Sequence, residues 1–341
     1  IISENFYSEY DGITWIIVEN SVKFLQDLAH YHIENHPIKT IGITGSNGKT
    51  TTKELIHAVL SQKFNTKATI GNLNNHIGVP LTLLSFNSET EIGIVEMGAN
   101  HKKEIAFLCE LAKPDYGYIT NFGKAHLEGF GGIQGVIEGK SELYQYLSIN
   151  NKLAFINLED SIQVQKAADL KFFSFGIKKE NADVNIIDVK ANPFVEINFS
   201  NLIIKSHLIG LYNANNINAA LTIGKYFGVD DIAIKEGLES YIPENNRSQL
   251  LSKGTNQIIL DAYNANPSSM KVAIENFLQL DNPNKIMILG DMFELGDAST
   301  QEHLEVLKLL LDKNEIQCFF IGSAFYANKT VTTHFHFYET F

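Results

Sequence analysis

Between a short β-like run at 40–44 and a helical pattern that starts at Thr50 lies Gly45-Ser46-Asn47-Gly48-Lys49-Thr50-Thr51. Few features restrict a chain so tightly. A glycine-rich turn from strand into helix lets successive backbone N–H groups converge on phosphate oxygens, and the helix N-terminus adds a favourable dipole. Lys49 supplies a mobile positive charge for β- and γ-phosphates, and the Thr50 hydroxyl can ligate Mg²⁺. The strict pattern G-x-x-x-x-G-K-[ST] would put glycine at position 43, where this chain has Ile43, so the loop is a variant. An ordinary strand–helix turn is the competing reading. The Gly-Lys-Thr run in this context favours a phosphate loop.

The rest of the chain agrees with such a loop. β-like runs recur at 92–96, 116–120 and 153–158, with helical spacing at 50–63, 102–112 and 135–147. Strands alternating with helices predict an α/β fold with a mostly parallel, P-loop-type sheet covered on both faces. Apolar residues at 22, 25, 28 and 29 predict an earlier helix closed by Pro37. Residues 170–209 alternate in a more purely β manner, and helical spacing returns at 213–227 and 231–240. Near Pro243 the rhythm restarts, with strands at 258–261, 285–291 and 317–322 and helices at 268–279 and 299–313. The expected division is 1–38 as the end of an earlier unit, 39–242 as a central nucleotide-binding domain, and 243–341 as a smaller Rossmann-like domain. The chain opens on Ile1 and stops at Phe341 without an end signal, so both ends read as cut and the last domain as incomplete.

Charge and composition narrow the partners. A net charge of −12 argues against general nucleic-acid or anionic-membrane binding. It leaves a nucleotide in one local pocket open. No apolar run approaches the ~18 residues that span a bilayer, and the N-terminus lacks the pattern of a secretory signal. Two cysteines, Cys109 and Cys318, suggest neither a disulfide framework nor a zinc site. A reducing, cytoplasmic location is expected.

Several side chains stand where chemistry could use them. Glu96 ends a predicted strand, and ligands of open α/β sheets sit beyond the carboxyl ends of strands, so it can hold Mg²⁺. A solvated strand-end glutamate is the bland alternative. Asn121 and His126 follow the next strand; His126 could ligate a second metal through a neutral imidazole or be an ordinary loop histidine. Lys140 lies on a predicted helix between Glu138 and Glu142, the setting of an exposed surface lysine. Arg247 is the single arginine among 26 lysines, which suggests a need for a planar fork such as a bidentate phosphate contact, or mere chance. Residues 129–132 (Gly-Phe-Gly-Gly) fit a dinucleotide fingerprint only loosely and read as a flexible loop. His30, His32 and His36 read as a solvated helix end.

Taken together, the loop at 44–51 and the stretches at 72–80, 95–100, 119–128, 138–142 and 210–216 resemble the Mur ligase family. Those at 261–267 and 289–296 look like the branch of it that adds a dipeptide. The resemblance runs from about residue 15 to 325 and implies an ATP-dependent ligase of peptidoglycan precursor synthesis. It would join D-alanyl-D-alanine to UDP-N-acetylmuramoyl-tripeptide through an acyl phosphate. Residues 1–38 would then end a domain that grips the UDP-linked substrate. The family pattern implies ATP contacts from Gly45, Ser46, Asn47, Gly48, Lys49, Thr50 and Thr51. Arg247 would meet the phosphates, Asp261 the ribose and Asn216 the adenine, with Asn264 on the ATP side of the cleft. It also implies Mg²⁺, two ions in number, on Thr50, Glu96, His126 and a carbamylated Lys140. Lys49, His126 and Lys140 would be catalytic, and Asn74 and Asn75 would hold the peptide. A lysine of lowered pKa is partly free amine and can capture CO₂, which makes such a carbamate chemically reasonable. The chain is expected to act as a monomer. A sister ligase adding one amino acid, diaminopimelate or lysine, and a nucleotide-binding module without ligation are the alternatives.

Overall fold

A computed structural model describes residues 1–5, 12–36, 38–244 and 246–340. Pro37 and Phe341, on which two expectations rest, lie outside the described residues. Strand β1 (Ile2–Ser3) pairs in parallel with β2 (Ile16–Ile17). Helix α1 (Ser21–Asn35) follows, capped by the Asn20 side chain, which accepts from the Lys23 N–H.

Next comes the alternation expected from the sequence: β3 (Lys39–Thr44), α2 (Lys49–Leu60), β4 (Thr66–Ala68), α3 (Gly78–Leu84), β5 (Ile92–Glu96) and α4 (Glu104–Ala112). It continues through β6 (Tyr116–Ile119), α5 (Leu127–Phe130), α6 (Ile133–Ile149), β7 (Leu153–Asn157), α7 (Ser161–Lys166), β8 (Lys171–Ile177) and β9 (Val184–Ile186). The seven strands form one parallel sheet in the order β4-β5-β3-β6-β7-β8-β9. From β3 the chain runs outward to β4, returns to β5, then crosses to β6 on the other side of β3. That reversal is the switch point at which such sheets bind ligands.

Both faces are covered, as continuous apolar strands require. Ile41 and Ile43 of β3 point toward Leu55, Ile56 and Val59 of α2. Each such buried side chain stabilises the fold by roughly 1.5–3 kcal/mol. On the opposite face, Gly42, Gly93 and Gly117 leave room for side chains to sit against the sheet. A Cβ at Gly93 would lie 2.3 Å from the Phe86 ring.

β8 and β9 extend the parallel sheet, whereas β10 (Asp188–Ala191), β11 (Phe194–Phe199) and β12 (Leu202–Ile209) form a separate antiparallel sheet. Helices α8 (Ala214–Tyr226) and α9 (Asp231–Ser240) return to the face that carries α2. The C-terminal part starts with an antiparallel hairpin, β13 (Gln249–Lys253) and β14 (Asn256–Leu260). α10 (Pro267–Gln279) opens on a capping box between Asn266 and Ser269. Then β15 (Ile286–Gly290), α11 (Ser299–Leu310), β16 (Gln317–Ile321), α12 (Ser323–Ala327) and β17 (Phe335–Tyr338) build a three-stranded parallel sheet. Among the described residues no helix is long and apolar enough to cross a membrane.

One expectation is corrected here. Residues 129–132 are not a loose loop: α5 runs into Phe130, which is buried. Gly135 and Gly139 of α6 make the space, since a Cβ at Gly139 would stand 2.5 Å from the Phe130 ring. Glycine content suggested freedom where it serves close packing.

Gln163 of α7 ties β6 to β7. Fully buried, it accepts from the Asn157 N–H at 2.9 Å and donates to the Ile119 carbonyl at 2.9 Å. Gln163→Leu should leave both backbone groups unpaired and destabilise the chain by about 2–4 kcal/mol. Urea unfolding should show a lower midpoint with an unchanged slope.

Candidate active site

The carboxyl ends of β3, β5 and β6 open into a cleft of about 830 Å³, closed on its far side by residues 247–272. The phosphate loop forms its floor. Gly48, at φ 78°, caps α2 in the left-handed region, and Gly45 adopts φ 140°. A Cβ at Gly45 would lie 2.0 Å from the Thr120 hydroxyl, so only glycine fits there. Thr120 and Asn121 both donate to the Asn47 carbonyl, at 2.6 and 2.9 Å, and the Ser46 hydroxyl donates to the Gly123 carbonyl at 2.8 Å. Lys49 is half-buried, and its ammonium donates to the Gly45 and Ser46 carbonyls at 2.8 and 3.2 Å. Desolvation, partly offset by Glu96, lowers its pKa. Thr50 and Thr51 are buried at the helix start and line the cleft.

Glu96 is buried at the end of β5. One carboxylate oxygen accepts from the Asn74 amide at 2.8 Å, while the other, Oε2, is buried without a hydrogen-bond partner. An unpaired buried carboxylate oxygen is costly unless a cation meets it. Lys53 supports this corner from below. It is fully buried, pairs with Glu54 at 2.8 Å and donates to the Thr69 and Gly71 carbonyls. Thr69 in turn accepts the Glu96 N–H through its hydroxyl at 3.0 Å.

Lys140 is not the surface lysine its neighbours suggest. It is 1% exposed, donates to the Ala99 carbonyl at 2.9 Å and lies 5.0 Å over the Phe130 ring. Glu138 pairs with Lys102 at the surface, and Glu142 accepts the Lys103 and Ala106 N–H groups at the start of α4. Burial first, and Lys49 second, push the Lys140 pKa well below the ordinary lysine range. The flanking glutamates hid this, because position 140 falls with Val136, Leu143 and Tyr144 on the face of α6 turned to the core.

His126 is mostly buried and held at φ 53°, and its Nδ1 bonds to the Glu294 carboxylate of the C-terminal part. Burial lowers its pKa despite the pull of Glu294. Thr50, Glu96 and His126 line the cleft, whereas Lys140 lies behind its wall. Among the described residues no three His, Cys, Asp or Glu side chains converge. A cation here would therefore rest on a mixed donor set, and the unpaired Glu96 oxygen fits one.

From the other side come Arg247, Asp261 and Asn264. Arg247 stands between Asn246 and Ser248, both with positive φ, and its guanidinium lies 3.6 Å over the Tyr263 ring. A planar fork suits that stacking. Asp261 accepts from the Ser248 N–H and the Tyr212 hydroxyl, each at 3.4 Å. Asn216 lines the cleft, but its amide is engaged with Thr52 and Asn213 and packs on Gly48. Asn75 accepts from the Ile77 and Gly78 N–H groups at the start of α3, so its carbonyl serves that helix. His32 and His36 stay with α1, where His32 bonds to the Phe86 carbonyl.

Sequence reasoning missed the seam between the two parts. The Asn266 amide donates to Asn47 of the phosphate loop at 2.6 Å, and the Lys124 N–H donates to the Ser268 hydroxyl at 2.8 Å. Lys124 also pairs with Glu302. No local pattern marks these partners, which lie 144 to 219 residues apart.

Residues 43–224 match the Mur ligase middle domain, and residues 246–324 match the domain described as Mur ligase, glutamate ligase domain. The chain is 36% identical over 292 residues to the UDP-N-acetylmuramoyl-tripeptide–D-alanyl-D-alanine ligase of Bacillus subtilis. That match covers 85% of this chain and 64% of the relative's length. A crystal structure of MurF from Acinetobacter baumannii superposes with a TM-score of 0.86 at 31% identity, covering 99% of this chain and 75% of that one. MurF ligase from Thermotoga maritima in complex with ADP gives 0.84 at 29% identity, covering 99% and 78%.

The buried amine has a thermodynamic signature. Unfolded, Lys140 regains the ordinary pKa of 10.5; folded, its pKa lies well below. Between the two values the unfolded chain binds the extra proton, so this residue makes stability rise with pH across that window. Lys140→Met should lose the rise. Urea unfolding at a series of pH values in CO₂-free buffer checks it, and equal pH slopes in both proteins would contradict a buried amine.

Proposed function

The chain belongs to the Mur ligase family, and we propose that it carries the nucleotide chemistry of the ligase joining D-alanyl-D-alanine to UDP-N-acetylmuramoyl-tripeptide. One observation carries this reading: a phosphate loop with Lys49 and an unpaired buried Glu96 oxygen meet at one cleft, with a buried Lys140 amine behind its wall. The Bacillus subtilis relative's name supplies the substrates. Because the chain spans 64% of that relative's length, the activity is proposed for the protein to which these residues belong.

The reaction has two steps. A carboxylate oxygen of the tripeptide attacks the γ-phosphorus of ATP, and ADP leaves. The D-Ala-D-Ala amine then attacks the acyl carbonyl carbon, phosphate departs with the bonding pair, and the amine proton passes to water or phosphate. Both steps bring anions together, so the residues must neutralise and align them. The loop N–H groups of Gly45, Gly48, Thr50 and Thr51 cradle the phosphates, whereas those of Ser46 and Asn47, expected to join them, donate to the Asn121 carbonyl and side-chain oxygen at 3.1 Å each and fix the loop instead. Lys49 leaves its loop carbonyls to meet the β- and γ-phosphates, and Arg247, held flat by Tyr263, braces them from the other side. Asp261 accepts from ribose hydroxyls, Asn264 lies beside them, and Asn216 keeps Gly48 in place beneath the nucleotide. Asn74 and Asn75 hold the peptide side.

Magnesium, two ions in this reading, would be held by Thr50, Glu96, His126 and a carbamylated Lys140, and would spread the charge that develops on the phosphoryl group. The Lys140 lone pair attacks CO₂, an N–H proton leaves to solvent, and an N-carboxylate results. We assign 39–242 to nucleotide binding, 243–341 to the closing domain and 1–38 to the end of the UDP-substrate domain. One chain supplies both walls of the cleft, which suits a monomer. An ATP-consuming reaction and two unpaired buried cysteines suit the cytoplasm.

The test is phosphate release with ATP, Mg²⁺ and UDP-N-acetylmuramoyl-tripeptide. Release on adding D-Ala-D-Ala supports the reading. Release on adding diaminopimelate or lysine to the shorter dipeptide substrate points to a sister ligase, and release with neither points to a binding module. Lys49→Ala should lower kcat about 10²–10³-fold. It also removes the donor to the Gly45 and Ser46 carbonyls, so it should loosen the loop. Lys140→Arg should be inactive, because a guanidinium takes up no CO₂, and the parent should lose activity reversibly in degassed buffer. An active Arg variant would remove the carbamate from the scheme.

A further inference from the structure

Among the contacts outside the phosphate loop, one joins a candidate metal ligand of the cleft to the C-terminal part. His126 and Glu294 meet across the seam, and both have backbones in the left-handed region, at φ 53° and 58°. L side chains rarely adopt that conformation, so each must be held there by its surroundings.

The surroundings are present on both sides. The Glu294 loop follows β15 and is fixed at two points. Asp291 accepts the Ala324 and Phe325 N–H groups at 2.8 and 2.9 Å, and buried His303 accepts the Met292 N–H at 3.1 Å. On the central side, the Glu128 N–H donates to the Glu294 carbonyl at 3.2 Å, and Gly296 packs against the Glu128 side chain. The Lys124 N–H donates to Ser268, and Lys124 pairs with Glu302. The strip 124–128 thus receives the C-terminal part at three successive points, with His126 in the middle.

The chemistry of the pair sets the ring's orientation. A carboxylate can only accept, so Nδ1 is the donor and the lone pair of a neutral imidazole falls on Nε2. Outer partners of this kind orient a histidine and fix its tautomer. We propose that Glu294 is a positioning residue that fixes the His126 ring through Nδ1 when the two parts close, so that closure completes the Nε2 donor of the cleft. Closure and cation binding are then linked, each strengthening the other. The cation arm of this inference rests on the ligase reading above; the tautomer arm does not.

The experiment uses the intact protein with ¹⁵N-labelled histidine, assigned through His126→Asn, together with Mn²⁺ binding followed by electron spin resonance in the presence of ADP. The parent should show His126 with Nδ1 protonated and Nε2 free. Glu294→Ala should lose that tautomer and bind Mn²⁺ about 10-fold or more weakly, as outer-partner losses do. Glu294→Gln, whose amide oxygen still accepts, should restore both to a large extent. ADP binding without cation should stay unchanged in every variant, because Glu294 does not reach the phosphate loop. Glu302→Gln weakens the same seam without touching His126, so it should keep the tautomer and weaken Mn²⁺ binding much less than Glu294→Ala does. An Nε2-protonated parent, Mn²⁺ binding unchanged in Glu294→Ala, or a parallel loss in Glu302→Gln would each overturn the proposal. Absence of ADP and Mn²⁺ binding in the parent would overturn the ligase reading instead, and the tautomer would then decide the role of Glu294 alone.

Discussion

The site depends on how closely the phosphate loop is held against the end of β6. The Thr120 hydroxyl occupies the space a Cβ at Gly45 would need, and Thr120 and Asn121 both reach the Asn47 carbonyl. The loop is therefore shaped by the strand beside it before any nucleotide arrives. Donors fixed in advance need little reorganisation when phosphate binds, which is where their value lies. The rigidity comes from further back. Gln163 bonds the Ile119 carbonyl at the end of β6, and Leu143 and Leu147 of α6 pack on Gly117 in its middle. Side chains of α6 and α7 that face the sheet thus set the position of the loop.

Charge is distributed unevenly in a chain of net charge −12. Lys49, Lys53 and Lys140 gather at one edge of the sheet, and Glu96 is the buried carboxylate among them. Lys53 is answered by Glu54 and backbone carbonyls, so its charge is local and structural. Lys49 and Lys140 differ, because Lys49 is the main charge acting to lower the Lys140 pKa. In the proposed reaction Lys49 would therefore act twice: it would meet phosphate, and its charge favours the free amine of Lys140. An anion that neutralises Lys49 would relax that repulsion, so nucleotide occupancy and the state of Lys140 are coupled through space.

The parallel sheet was legible because its strands are continuous apolar runs separated by helical spacing, and β5 falls at 92–96 as read. The short β4 and the helix α3 were not. Gly78 and Pro80 look like breakers, yet both lie in the first turn of α3, where a missing N–H costs nothing. The glycines at 129–132 were read as looseness, although Phe130 among them is buried against Gly135 and Gly139. The candidate site was legible through motifs that stand at strand ends, including Lys49, Glu96 and Arg247. Which of those side chains are engaged with protein was not. Asn75 looks like a free amide in sequence, yet its oxygen accepts the Ile77 and Gly78 N–H groups at the start of α3. Glu294 carries no sign of its partner, since His126 lies 168 residues away.

The seam between the two parts is built so that it can open. At the phosphate loop the contacts are neutral, an amide pair between Asn47 and Asn266 and the Ser268 hydroxyl. Separating neutral groups there leaves no uncompensated charge beside the phosphates. The charged pairs, Lys124 with Glu302 and His126 with Glu294, stand toward the rim, where Lys124 and Glu294 are each about half exposed. Water reaches such groups when the parts separate, so breaking them costs little. A seam with buried ion pairs at the loop and amides at the rim would hold the cleft shut. The arrangement found here costs little to open, and Arg247 already acts on Lys49 across the cleft, a repulsion that an anion between them would relieve.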